Sequence, residues 1–203
     1  TGVQTCALPI LATEPGVCPS LNLPIQAGSD RILKLMNRRY TRAEYLDKVR
    51  MVRAALPELG LTSDLIVGFP GETEEDFQAS VSALEEIRFD LVHTAAYSER
   101  TGTPAATMPG ALPQKERLSR LTRINAVQDA ITLSINKALV GRTCRVLADS
   151  AAPKGEGLLQ GRTPTDKVVL FPGGAELLGK FVDVNIVEAE SWCLHGEVRG
   201  AEV

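Results

Sequence analysis

Three short segments concentrate the polar side chains that could hold a small ligand: QAGSD at 26–30, GFPGET at 68–73 and YSERTGTPAA at 97–106. Each pairs at least one glycine, which permits close backbone approach, with hydroxyl, amide or charged groups. Gln26, Ser29, Asp64 and Arg100 are the polar side chains best placed to reach a ligand. Chemistry that needs a metal cluster is a different matter. The four cysteines, Cys6, Cys18, Cys144 and Cys193, form no CxxC or CxxxCxxC group. Their scatter suggests inert core positions for Cys144 and Cys193 and no disulfide framework. His93 and His195 are lone histidines without metal-ligand spacing, so no metal ligand and no catalytic residue is expected within this chain.

The elements that must position these loops read as alternating strand and helix. SLNLPIQ (20–26) is an apolar strand that ends at the Ala27-Gly28-Ser29 turn, and Ser29 is placed to cap a short helix from Asp30. Thr41 with Glu44 forms a capping box ahead of a helix whose Leu46, Val49 and Leu56 share one face. LTSDLIVGF (61–69) is a buried-type strand. Thr73 with Asp76 caps the next helix, where Phe77, Val81 and Leu84 recur at helical spacing. The acidic run Glu72, Glu74, Glu75 and Asp76 reads as charge matched to that helix N-terminus. FDLVHTAAYS (89–98) is a third strand. Two strand–helix units in succession predict a parallel sheet covered by helices, with ligand loops beyond the carboxyl ends of the strands. Pro113 opens a long helix to about Val140, with an apolar stripe of Leu118, Leu121, Val127, Ile131 and Leu139.

After Gly141 the texture changes to short β-rich runs between Gly, Pro and Asp turns. This predicts a small all-β barrel of about five strands, a fold often used for single-stranded RNA. The net charge of −3 excludes a broad basic face, so any RNA contact must come from a few placed residues. In the barrel Arg162, Thr163 and Lys167 are candidate phosphate contacts, and Phe171 is either a base-stacking ring or a core residue. Trp192 either packs or stacks. No run approaches the length of a membrane span and no signal peptide is evident, so the cytoplasm is the expected compartment.

The strings LPIQAGSDRILKLMNRRYTRAEY, SDLIVGFPGETEEDF and YSERTGTPAA resemble the C-terminal part of the catalytic barrel of the radical S-adenosylmethionine methylthiotransferases. GRT, VVLFPG, LLGKFVDVNIVEA and LHGEV, in that order, are similar to the TRAM domain that closes those proteins. The resemblance runs from about Val17 to Val198. It implies an α/β fold, the C-terminal part of a partial TIM-type barrel (residues 17–140), followed by a TRAM β-barrel (141–200), after a leader at 1–16. Residues 1–10, TGVQTCALPI, read as foreign to the rest.

MNRRYT and GTPAA are similar to the tRNA-modifying branches, and GRTPTDKVVLF most resembles the branch acting on isopentenyl-adenosine next to the anticodon. The branch acting on threonylcarbamoyl-adenosine remains a second possibility, and a non-catalytic RNA-binding module a third. The resemblance implies S-adenosylmethionine and two [4Fe–4S] clusters as cofactors, the tRNA anticodon stem-loop as partner, and an N-terminal part of the same polypeptide that holds the cluster ligands absent here. Such a chain is expected to be inactive alone and to expose an unpaired strand edge. Gln26, Ser29, Arg38 and Asp64 fall at cofactor-facing positions. Arg38 is either a partner for the cofactor carboxylate or a solvated surface cation, and Asp64 either a cofactor or substrate contact or part of an internal salt link. Tyr97, Arg100 and Thr103 either meet substrate or pack. Two departures stand out: Ala27 replaces a usual serine, and Asn22 a usual histidine.

Overall fold

The computed structural model describes residues 13–14 and 16–199. The expected foreign segment 1–10, most of the 1–16 leader and Cys6 lie outside the described residues. Strands β1 (Ser20–Asn22), β2 (Gly60–Val67) and β3 (Leu91–Ala96) form a parallel sheet in that order. Helices α1 (Asp30–Leu35) and α2 (Arg42–Ala55) connect β1 to β2, and α3 (Glu74–Ile87) connects β2 to β3. The first strand is shorter than its apolar run suggests. Pro24 has no N–H to give a ladder, and the chain regains the sheet only at an isolated bridge between Gln26 and Leu65.

The helix starts follow local chemistry. Thr41 and Thr73 both make complete capping boxes, with Glu44 and Asp76 respectively. Ser29 departs from expectation: it occupies the N-cap position of α1 but its side chain does not cap. Its hydroxyl instead donates to Asp76 Oδ1 at 2.5 Å, because α3 brings a carboxylate within reach that outcompetes a neutral backbone contact.

One core unites the sheet and its helices: Ile25, Tyr45, Val49, Leu61, Leu65, Phe77, Leu84, Phe89, Ile124 and Ile131 are all buried together. The long helix α4 (Gln114–Lys137) packs against it through part of the apolar stripe read in sequence: Ile131 is buried, Leu121 and Val127 pack against the core, and Leu139, just past the helix, packs on the barrel core, while Leu118 is exposed. The buried face also includes Arg120, Ile124, Gln128, Thr132 and Asn136. Two polar members donate to the chain just ahead of β3: Gln128 to Phe89 O at 3.0 Å and Thr132 to Asp90 O at 3.0 Å.

Strands β4 (Thr143–Ala151), β5 (Leu158–Arg162), β6 (Val168–Pro172), β7 (Phe181–Ala189) and β8 (Leu194–Val198) close a barrel in the order β4–β5–β6–β8–β7. Val146, Leu159, Val169, Phe171, Val184, Ile186 and Leu194 fill it. The barrel docks at the amino ends of β2 and β3. Lys167 Nζ meets Asp90 Oδ1 at 2.6 Å and Asn136 Oδ1 at 3.1 Å, Asn136 donates to Glu190 O at 2.8 Å, and a Cβ on Gly60 would come within 2.6 Å of Thr165 O. The three ligand-type loops lie at the opposite, carboxyl end of the sheet.

Candidate functional site: the carboxyl edge of the sheet and the outer face of the barrel

Gln26 is a non-glycine residue held at φ 67°, a left-handed conformation that persists only when its surroundings fix it. Its N–H donates to Asp64 O at 2.8 Å, and its side-chain Oε1 accepts from Arg38 Nη2 at 2.9 Å. Two of the expected cofactor-facing residues, Gln26 and Arg38, are thus brought together. Asn37, at φ 56°, turns the chain so that Arg38 can return to the strand end. Ser29 belongs to a neighbouring knot. Asp76 accepts from Ser29, from Thr73 N at 2.9 Å and from Arg31, whose Nη2 also reaches Gly71 O at 2.6 Å. Burial alone would raise the Asp76 pKa, but the hydrogen bonds from Arg31, Ser29 and Thr73 outweigh it and hold the carboxyl below its usual range.

Gly28 makes this knot possible. A Cβ there would sit 2.3 Å from Ala79 O, and its N–H donates to Ser80 Oγ at 2.9 Å. The turn therefore lies directly on α3. The GFPGET turn is held by a second set. Gly68 N donates to Glu72 Oε2 at 2.7 Å, and the same oxygen accepts from Arg120 Nη1 at 2.7 Å. Burial pushes the Glu72 carboxyl up, with Arg120 and Gly68 opposing.

Above the strand ends, Phe69 and Tyr97 pack edge to face with ring centroids 5.3 Å apart, beside Ala27, Met36 and Met108. The Tyr97 hydroxyl is buried without a hydrogen-bond partner, an arrangement that calls for a polar group to complete it. Asp64 is not part of this group. Its carboxylate accepts from Asn22 Nδ2 at 2.9 Å, a neutral partner in place of the expected salt link. Arg100 is exposed on the 97–106 loop, with its carbonyl taking the Thr103 hydroxyl at 2.8 Å.

The barrel already engages several of the residues expected to contact RNA. Phe171 is fully buried, so base stacking is closed to it. Within VVLF both faces of the strand are apolar, and alternation places Val169 and Phe171 inward. Lys167 holds the junction with Asp90 and Asn136, so its ammonium is already paired. Arg162 is half exposed but pairs with Asp166 Oδ1 at 2.6 Å. Thr163 is buried in the turn that leads to Lys167. Two large rings are exposed: Trp192, at the tip between β7 and β8, and Phe181, 57% accessible, with the Arg145 guanidinium 4.5 Å from the Phe181 centroid. Alternation in FVDVNI could have found it, since Val184 and Ile186 face inward and Phe181 outward. Among the described residues, no helix is long and apolar enough to cross a membrane.

Residues 8–84 match the radical SAM superfamily and residues 137–198 match the TRAM domain. The chain thus resembles a radical SAM segment followed by a TRAM domain. It is 46% identical, over 90% of its length, to a tRNA-2-methylthio-N(6)-dimethylallyladenosine synthase of Moorella thermoacetica, covering 41% of that protein. It is 46% identical over 93% of its length to the enzyme of that name from Dictyoglomus thermophilum, covering 43% of it. The one from Desulfitobacterium hafniense is 42% identical over 93%, with 42% covered. The chain therefore spans about two fifths of the length of the curated relatives it matches.

The radical SAM segment contributes a donor set that fits one part of the cofactor chemistry and not another. Arg38 gives one donor to Gln26 and keeps others for a carboxylate, while the unpartnered Tyr97 hydroxyl beside Phe69 suits a polar aromatic edge. An iron–sulfur cluster does not fit: the four cysteines are too far apart in sequence for a CxxxCxxC loop, and Cys18, Cys144 and Cys193 are free thiols. Arg31, Glu72, Tyr97 and Arg120 were not singled out as site-forming from the sequence alone, except Tyr97 as one of two readings. Arg31 and its partner Asp76 are 45 residues apart, and Glu72 and Arg120 are 48 apart.

Proposed function

We propose that this chain is the cofactor-wall and RNA-binding part of an enzyme that adds a methylthio group to carbon 2 of N6-isopentenyladenosine, next to the anticodon of tRNA. The observation that carries this reading is continuous similarity across both the radical SAM segment and the TRAM domain, at 46% identity, to a protein named for that reaction. Such a reaction uses S-adenosylmethionine and two [4Fe–4S] clusters, which supply the radical and the sulfur chemistry. The cluster ligands would come from sequence not contained in this chain. Within this chain, Gln26 orients Arg38 towards the carboxylate of S-adenosylmethionine, and Tyr97 offers its hydroxyl to the adenosyl end. Glu72 and Arg120 fix the GFPGET turn that closes the same edge. The tRNA anticodon stem-loop is the proposed partner, met at phosphates and bases by the outer face of the TRAM domain around Arg145 and Phe181, with Arg100 at the cofactor edge. The cytoplasm is the compartment that this substrate implies.

A chimera tests the reading. This chain, from Val17, replaces the corresponding C-terminal part of the Moorella thermoacetica relative, and the cluster-loaded product is assayed for methylthiolation of isopentenyl-adenosine in tRNA. The expected outcome is product, with the S-adenosylmethionine KM raised at least about tenfold by Arg38→Ala, the equivalent of one weak charged contact. A folded, cluster-loaded chimera that binds tRNA and forms no product would overturn it.

A further inference from the structure

The hairpin that joins β7 to β8 carries a cluster that the activity above does not use. Glu190 N donates to Cys193 O at 2.9 Å, so these two residues face each other across the two-residue tip Ser191-Trp192. The ladder continues inward with Ala189 opposite Leu194 and Glu188 opposite His195. Leu194 is buried in the barrel. By alternation its neighbours Cys193 and His195 point together to the outer face, and Glu190 joins them from across the turn. A register shift between Ile186 and Glu188 sets this phase.

One donor atom from each of the three side chains lies within 4.8 Å of the other two, with a different Glu190 oxygen facing each partner. Cys193 Sγ lies 3.6 Å from His195 Nε2 and 3.8 Å from Glu190 Oε2, and His195 Nε2 lies 3.6 Å from Glu190 Oε1. Zinc bonds of about 2.3 Å to sulfur and about 2.0–2.2 Å to nitrogen and oxygen, at tetrahedral angles, require donors roughly 3.3–3.6 Å apart. The Cys193–His195 spacing already matches this value, and a single Glu190 oxygen that serves both partners lies within 4.8 Å of each, a gap that rotation of its exposed side chain closes. Thiolate, imidazole and carboxylate are also the donors that zinc prefers over magnesium or calcium. Glu188, the register partner of His195, adds negative charge to the same face. The histidine is therefore not isolated, as its sequence spacing implied. The hairpin turn creates the proximity.

We propose that Glu190, Cys193 and His195 bind one Zn²⁺-class divalent ion, with the fourth position left to water because the Glu190 side chain is 58% and the His195 side chain 32% exposed. The ion ties the hairpin tip to β8 and so fixes the position of Trp192, which is 71% exposed.

Trp192 is the single tryptophan of the chain, and it adjoins Cys193. The test uses the full chain, stripped with chelator and reduced, and titrated with Co²⁺ while tryptophan fluorescence and thiolate-to-cobalt absorption are followed. The expected result is quenching and absorption that saturate together at one equivalent, both reversed by Zn²⁺. Loss of an outer-shell partner alone costs about 10–100-fold in metal affinity. Cys193→Ser and His195→Gln should therefore each weaken binding at least about 100-fold, with unchanged far-ultraviolet circular dichroism. The triple variant Cys6→Ser, Cys18→Ser, Cys144→Ser should bind as the parent does. Binding that survives Cys193→Ser and His195→Gln, or that disappears in the triple variant, would overturn the proposal. So would an absence of cobalt–thiolate absorption in the folded parent chain.

Discussion

The Arg120 guanidinium and the Glu72 carboxylate meet at 2.7 Å with only 5% and 1% of their side chains exposed. Arg120 also donates to the carbonyls of Glu72 and Thr73, both at 3.1 Å, and the Glu72 carboxylate takes the Gly68 N–H. One side chain from α4 thereby fixes both ends of the GFPGET turn. Removing one partner of a buried ion pair leaves the other charge uncompensated, at a cost of about 3–5 kcal/mol. Arg120→Met should lower the stability of the chain by that amount in urea denaturation, while Arg120→Met combined with Glu72→Leu should recover at least half of it. Equal loss in the single and double variants would show that packing, not the unpaired carboxylate, dominates.

Gly28 provides a steric test of the turn that carries Gln26 and Ser29. Its φ is not in the left-handed region, so alanine is conformationally acceptable there. The obstacle is α3, since the new Cβ would lie 2.3 Å from Ala79 O and 2.5 Å from Ser80 Cα. Backbone cannot swing aside as a side chain can, so Gly28→Ala should destabilise by about 1–3 kcal/mol or more and weaken S-adenosylmethionine binding in the chimera. Gly16→Ala, which meets nothing within 4 Å, is the matched control and should be neutral by thermal denaturation.

The Asp76 knot has a pH signature. Its carboxyl titrates below the ordinary value, so the folded state binds the proton less tightly than the unfolded chain. Its contribution is then complete above the unfolded pKa of about 4 and is lost as pH falls through the lower folded value. The parent chain should lose stability steeply below about pH 4, and Asp76→Asn should flatten that slope while costing about 1.5–3 kcal/mol at neutral pH. Glu74, held at about 2 by Arg123 and Gln78, acts in the same direction, but it is half exposed and screening reduces its share. An unchanged slope in Asp76→Asn would remove the residue from this role.

What the sequence disclosed follows from distance along the chain. Thr41 with Glu44 and Thr73 with Asp76 are three residues apart, and their capping boxes are legible because both partners lie in one turn. The parallel strands and the closed five-strand barrel also follow from local period and turn residues. Ser29 was misread as a cap because its actual partner, Asp76, is 47 residues away. The pairing of Lys167 with Asp90, 77 residues earlier, has no local signature, because the two are joined only by the docking of the barrel on the sheet. Phe171 sits in a run with no polar alternation, so its face could not be read. Gln26 and Arg38, twelve residues apart, were both chosen, and the strained φ of Gln26 that joins them has no signature in residue type. Nothing in the structure explains the alanine at position 27 beyond its complete burial.

In the barrel, Phe171 and Lys167 hold the fold and its junction, while Phe181 and Arg145 form the proposed RNA surface. Phe181→Ala removes an exposed ring and should weaken tRNA binding by about 1–3 kcal/mol, the worth of one base stacked on an aromatic side chain, with little change in thermal stability. Arg145→Ala should weaken it further and reduce the salt dependence, as expected for a lost phosphate contact. Phe171→Ala should do the opposite: a cavity in the barrel core costs about 3–5 kcal/mol, and binding falls only as the folded fraction falls. Lys167→Ala should loosen the junction, seen as faster amide exchange at Asp90 and Leu91, before it alters affinity. Fluorescence anisotropy with an anticodon stem-loop at two salt concentrations reads all four variants. If Phe181→Ala leaves affinity unchanged while Lys167→Ala lowers it in a fully folded chain, the RNA face is the junction and not the β4–β7 surface.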